Sequence, residues 1–139
     1  MRRLWFALIL CLFPIAGNTQ PLPSPISPYV NDLANLLEEK DWREVTDMLE
    51  ILQEDTGIQM TLLTLGSQAP YATNQSLESF AAALFDDWGI GNATRNDGIL
   101  LLVLPDDRAM RIELGAGYNY EWNNEADRVM DRSFLPSFR

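Results

Sequence analysis

The order of apolar segments predicts a small three-layer α/β/α sandwich with a mixed, mostly parallel sheet. Three observations carry that expectation. Two apolar runs, residues 58–65 and 98–104, bracket an amphipathic segment. That is a strand–helix–strand unit, whose parallel crossover is right-handed by the usual chirality. The second run passes through a short turn into an alternating segment that pairs back as a hairpin. Helical periodicity precedes the first run and follows the last, so helices are available for the second face. The size agrees: 139 residues fit one domain, and 47% hydrophobic with 22% charged residues is a globular composition.

Each element has its own signal. In YVNDLANLL (29–37), Asn31 and Asp32 are candidate helix N-caps. From Asp41, Trp42, Val45, Leu49 and Leu52 fall on one helical stripe, and Gly57 is placed to end the helix, predicted over 39–55. IQMTLLTL (58–65) is β-branched and apolar between two glycines, a mostly buried strand. Leu77, Phe80, Ala81, Leu84 and Trp88 keep i, i+3, i+4 spacing, predicting a helix over 75–88 that Gly89 stops. GILLLVL (98–104) is apolar throughout, as in a strand covered on both faces. PDDR (105–108) is a turn. In AMRIELG, Met110, Ile112 and Leu114 alternate with Arg111 and Glu113, a half-exposed strand. A last helix is expected to start near Asn124, with Ala126, Val129, Met130 and Phe134 as its buried stripe and Pro136 as its limit.

The N-terminus predicts a compartment. Arg2 and Arg3 precede ten apolar residues, Leu4 to Phe13; Pro14 breaks the run, and Ala16-Gly17 offer a small-residue cleavage site. This is the three-part pattern of a secretory signal over residues 1–17, about half the roughly 20 residues that span a bilayer. Residues 18–28 hold four prolines and no charge, which predicts an extended linker. Cleavage after Gly17 removes Cys11, the only cysteine, and leaves 8 basic against 20 acidic residues, a net −12. The expected location is periplasmic or secreted, with no membrane span after cleavage. Such acidity argues against nucleic acid as a partner and serves solubility or attraction of cations and basic partners. The chain contains no His and one Lys, Lys40. Ser-His-Asp and Cys-His pairs, His-ligated zinc and the Walker lysine are therefore excluded.

Four stretches together resemble the TPM domain, known from bacterial secreted and thylakoid-lumen proteins. They are YVNDLANLL; DTGIQMTLLTL; LFDDWGIGNATRNDGILLLVLPDDRAMRIELGAG, with Trp88–Gly91, Asn96–Gly98, Asp106–Arg108 and Arg111–Gly117 in family order; and the tail AxxxxxxxFLPSF. The likeness spans residues 29–139. It implies the same sandwich fold, and a role among those linked to the family: photosystem repair, modest acid phosphatase activity, divalent cation binding, or accessory work beside membrane complexes. Two departures stand out. Where the family has Leu-Pro-Asp after its Gly-x-Gly, this sequence has Trp122, Asn123 and Asn124, an amide in place of a carboxylate. The family also runs on beyond Pro-x-Phe, so this domain is expected to be cut short at Arg139.

The residues limit the chemistry. No Asp-x-Asp and no Gly-x-Ser-x-Gly occurs, so a phosphatase would need a carboxylate-held metal. Hard oxygen ligands select Ca²⁺ or Mg²⁺. Asp32, Asp97 and Asp107 are the candidate ligands, with Asp106 and Glu113 nearby. Asp97 and Asp107 flank opposite ends of one strand, over roughly 20 Å apart at about 3.3 Å per residue. One site would therefore draw on Asp32 with one end or the other. Asp97 and Asp106 also suit plain Asx turns. Arg95, Arg108 and Arg111 are the arginines available to a phosphate. GIGNAT follows a helix rather than a strand, so it reads as a cap and linker, not a dinucleotide loop. Trp42 and Trp88 lie in helical core register. Tyr118, Tyr120 and Trp122, after Gly115-Ala116-Gly117, form the candidate partner-binding patch. The expected function is an accessory binding module for a membrane-associated complex, with weak metal-dependent acid phosphatase activity as the alternative.

Overall fold

The computed structural model describes residues 20–134. The expected signal segment and the Leu135–Arg139 tail lie outside the described residues. Eight elements follow in order: β1 (Val30–Asp32), α1 (Glu39–Thr56), β2 (Met60–Thr64), α2 (Leu77–Trp88), β3 (Ile99–Leu104), β4 (Ala109–Leu114), α3 (Tyr120–Val129) and the π-helical turn η1 (Met130–Phe134). The strands form one sheet in the order β1-β2-β3-β4. The first three are parallel and β4 returns antiparallel. The hairpin turn is closed by the Arg108 N–H donating to the Pro105 carbonyl at 3.1 Å. This is the expected three-layer sandwich. Among the described residues no helix is long and apolar enough to cross a membrane.

The pleat sorts side chains onto two unlike faces. On one, Leu63, Leu100, Leu102 and Leu104 meet Phe80, Ala81 and Leu84 of α2 in the larger core. Leu100, Leu102, Leu104, Phe80 and Leu84 are all 0% exposed. On the other, Val30 and Leu62 meet Leu49 of α1, with Val45, Leu101 and Val103 packed beside them. Strands β1, β2 and β3 are consecutive and parallel, while α1 and α2 lie on opposite faces. The two crossovers therefore have opposite hands, and only one can follow the right-handed preference.

The central strand differs from its sequence expectation. Its burial alternates: Leu100, Leu102 and Leu104 are buried, whereas Ile99, Leu101 and Val103 are only half-buried. The α2 face is closed. On the opposite face α1 lies over β1 and β2, and α3 lies by β4, so part of β3 stays open between them. An apolar run reports which residues can be covered, and the helices decide which of them are.

Several boundaries also moved. The segment holding Asn31 and Asp32 opens as β1 rather than as a helix cap: the Leu62 N–H donates to the Tyr29 carbonyl at 2.7 Å, and the Leu33 N–H to the Thr64 carbonyl at 2.9 Å. Three residues are too few for a period to show. The last helix begins at Tyr120, not near Asn124, because the Asn119 side chain accepts from the N–H groups of Glu121 and Trp122. Gly57 (φ 75°) and Gly89 (φ 60°) end α1 and α2 in the left-handed conformation, as expected.

The proline-rich stretch is laid along the domain. The Gln20 N–H donates to the Pro70 carbonyl at 2.8 Å, and Leu22 packs on the larger core. The Trp88 indole N–H donates to the Pro23 carbonyl at 2.8 Å. Asn31, 1% exposed, binds the strap's end: its Oδ1 accepts from the Ile26 and Ser27 N–H groups and its Nδ2 donates to the Ser27 carbonyl.

Candidate functional site

The site is built from the end of β4. A Cβ on Gly115 would lie 2.1 Å from the Asn96 carbonyl oxygen. Glycine there lets the 92–97 loop close against the strand end. The chain then turns, and Asn119 caps α3. The Tyr118 hydroxyl donates to the Asp97 carbonyl at 2.8 Å and fixes the helix start to that loop. Burial, followed by the Asp97 charge, holds the Tyr118 hydroxyl above its ordinary pKa. Trp122 meets the Tyr118 ring edge to face, with centroids 6.1 Å apart.

From this anchor α3 presents Trp122, Ala126 and Val129 toward the sheet. Met60, Ile99 and Leu114 form one cross-strand row, with Ile112 in the next. Together these residues wall an open cleft of about 300 Å³ whose accessible wall is wholly apolar. Trp122 is 58% exposed and Val129 39%. Beyond α3, the turn η1 brings Met130 to the outer edge of β4, where its sulfur accepts from the Ile112 N–H at 3.2 Å.

The three aromatics singled out in the sequence thus have separate roles. Tyr118 is an internal anchor, Trp122 lines the cleft, and Tyr120, 77% exposed, stands in solvent away from it. The sequence reading missed the floor. That floor is assembled from three strands by pairing at long range, which local periodicity does not show. Of the tryptophans expected in the core, Trp88 is half-buried against α2's cluster and Trp42 is 37% exposed.

The candidate carboxylates do not converge. Asp32 and Asp107 sit at the C-terminal end of the parallel strands and Asp97 at the opposite end. Each is engaged within the chain. Asp32 accepts from the Leu36 and Leu37 N–H groups and the Thr64 hydroxyl. Burial pushes its pKa up, but these hydrogen bonds outweigh it and hold the carboxyl below the ordinary aspartate value. Asp97 accepts from the Arg95 guanidinium and the Asn92 N–H, and the Arg95 hydrogen bond leads in lowering its pKa. Asp107 accepts from the Ser67 hydroxyl at 2.7 Å and the Gln68 N–H at 2.9 Å. Among the described residues no three His, Cys, Asp or Glu side chains form a metal-holding group. Of the arginines, Arg95 also donates to the Gly57 carbonyl, and Arg111 pairs with Glu113 and Glu78 on the α2 side. Arg108, with φ 49°, sits exposed in the hairpin turn.

Comparison with known proteins agrees with this architecture. The solution structure of the N-terminal domain of a protein from P. gingivalis is similar over 79% of this chain and 68% of its own, at 28% identity and a TM-score of 0.66. That of the N-terminal domain of cg2496 protein from Corynebacterium glutamicum is similar in fold over 86% of this chain and 76% of its own, at 15% identity and a TM-score of 0.62. No curated protein matches the chain. The family model described as the TPM domain matches residues 30–139. That span takes in every strand of the sheet, all three helices and the open apolar cleft, and the chain belongs to the TPM domain family.

Proposed function

We propose that this TPM domain works as a secreted or periplasmic accessory module that binds a membrane-associated partner through the open apolar face. One observation carries the reading: Trp122 and Val129 stand exposed over the uncovered row Met60, Ile99 and Leu114. Large exposed aromatics beside an apolar concave wall are what binding hot spots are made of. Burying such a wall stabilises a complex by roughly 25 cal/mol per Å² of apolar surface. Divalent cation binding belongs to the same proposal, as does the alternative of metal-dependent phosphomonoester hydrolysis. Both would use the end of the sheet that holds Asp32 and Asp107, where Arg108 could face an anionic group.

The experiment is site-specific photocrosslinking in the source cells. A benzophenone amino acid at position 122 should give a crosslinked product in the membrane fraction, and the same group at position 78, on the α2 side, should not. Equal products from both positions, or none from position 122, would remove the module reading. A phosphomonoester assay of the purified chain, with EDTA and with Asp107→Asn, decides the alternative. EDTA-sensitive turnover that Asp107→Asn abolishes would establish it.

A further inference from the structure

We infer that residues 20–28 are a tethered, displaceable ligand, lying in a groove that recognises an extended proline-rich segment. The groove is on the α2 side of the sheet, where Thr61 shares a pleat with Leu63 and Leu65, and so lies on the face opposite the apolar cleft. It is a second binding site, independent of the reading above.

The contacts themselves point to the ligand class. Residues 20–28 hold four prolines and form no helix or strand. Such a segment favours an extended conformation whose carbonyls find no partner within it. Side chains of the domain supply the donors. The Trp88 indole N–H donates to the Pro23 carbonyl at 2.8 Å. The Thr61 hydroxyl and the Gln59 amide both donate to the Pro28 carbonyl, at 2.7 and 3.2 Å. At two N–H groups the direction reverses, and Asn31 Oδ1 accepts from Ile26 at 2.7 Å and Ser27 at 3.0 Å. An aromatic wall with donors aimed at backbone carbonyls is how proline-rich segments are held by dedicated recognition domains. The pattern read is an apolar residue at the Leu22 seat, then carbonyls at 23 and 28, with free N–H groups at 26 and 27.

The strap is held lightly. Pro21, Ser24, Pro25, Ile26 and Pro28 are exposed, Ile26 to 81%, and Leu22 makes the seat in the larger core. Segments with few buried apolar contacts open locally at far less cost than global unfolding. The groove beneath is preorganised: Gln59 Oε1 accepts from the Gly91 N–H at 3.0 Å whether or not the strap is seated. Opening also leaves Asn31 and Thr61, each 1% exposed, short of partners, which favours a replacement segment. The strap runs through Tyr29 directly into β1, so its effective concentration is on the order of millimolar. A partner's segment therefore binds only where the strap gives way, and the strap inhibits its own groove.

The test uses the full chain, isotopically labelled, and a capped peptide of the sequence of residues 20–28. Amide exchange at Ile26 and Ser27 and indole exchange at Trp88 should run together, at least a hundredfold faster than at the Leu102 amide. Excess peptide should move the strap's Ile26 and Ser27 resonances while the Trp88 indole stays protected. One substitution should act oppositely in the two settings. Leu22→Ala in the chain should tighten peptide binding at least tenfold, and Leu22→Ala in the peptide should weaken it as much. A peptide with Ile26→Pro, which lacks one N–H, should also bind at least tenfold more weakly. Pro25→Gly in the chain frees the strap without touching the core, and should tighten binding about threefold. Exchange at Ile26, Ser27 and Trp88 no faster than at Leu102 would overturn the inference, because the strap would then be a fixed part of the fold. So would equal binding by a scrambled peptide, or no gain in binding in the Pro25→Gly chain.

Discussion

Asp32 shows how a residue type can suggest one chemistry and a structure give it another. An aspartate in YVNDLANLL suggested a cation ligand or a helix cap. The fold places it at the end of β1, where it accepts from Leu36, Leu37 and Thr64 and ties the start of the chain to β2. Asp32→Ala would leave two backbone donors and a buried hydroxyl short of a partner, at a cost of about 1–3 kcal/mol in denaturant unfolding. The pH dependence has a definite sign. The folded pKa is depressed, so the contribution is complete above the unfolded value and is lost as pH falls through the folded one. The stability gap between wild type and Asp32→Ala should therefore narrow on acidification below about pH 4. A gap independent of pH would show that the carboxylate charge plays no part. Nothing local in the sequence marks this role, because Thr64 is 32 residues away.

At the scale of elements, β3 is the informative case. Seven consecutive apolar residues suggested burial on both faces, yet the strand has one closed face and one open. Leu102 is 0% exposed beneath α2, so Leu102→Ala should cost about 2–5 kcal/mol. Leu101, half-buried on the open face, should cost clearly less, and equal losses in the two variants would mean that both faces are closed. Helix α3 makes the same point. Its start depends on one side chain, Asn119, and Asn119→Ala should cost about 1 kcal/mol and fray the first turn. That turn carries Trp122, so the cleft's exposed aromatic should become more mobile in the same variant, visible as a change in tryptophan fluorescence anisotropy. An Asn119→Ala protein with unaltered stability and anisotropy would place the helix start under the control of Tyr118 alone.

For the whole molecule, the distribution of charge and apolar surface matters more than either total. The α2 side is closed by the larger core and crossed by the Arg111–Glu78 pair, while the opposite side combines the open cleft with most of the acidic groups. The compartment belongs to the same scale. The Arg2-Arg3, Leu4–Phe13, Ala16-Gly17 pattern predicts that mass spectrometry of the protein expressed in its source will show loss of about 17 to 20 N-terminal residues. An intact N-terminus in the cytosol would overturn the secreted reading.

The sequence by itself determined the order of elements from α1 to α3, the stops at Gly57 and Gly89, the hairpin after Leu104 and the α/β/α class, because each depends on local periodicity or on a single backbone requirement. The family likeness carried in WGIG, the Asp-Asp-Arg turn and Gly-Ala-Gly was legible for the same reason. The structure decided what sequence periods do not encode. It set which apolar residues are covered, because that depends on where α1 and α3 come to lie over the sheet. It split Tyr120 from Trp122, because at about 100° per residue two helix positions two apart face nearly opposite ways, and it left Tyr118 in contact with Trp122. It put Asp32 at the Asp107 end of the sheet, away from Asp97, because three parallel strands carry all their ends of one kind to the same side. It also drew Met60, Ile99, Ile112 and Leu114 from three strands into one floor beside Trp122. That floor depends on strand pairing at long range, which no window along the chain contains.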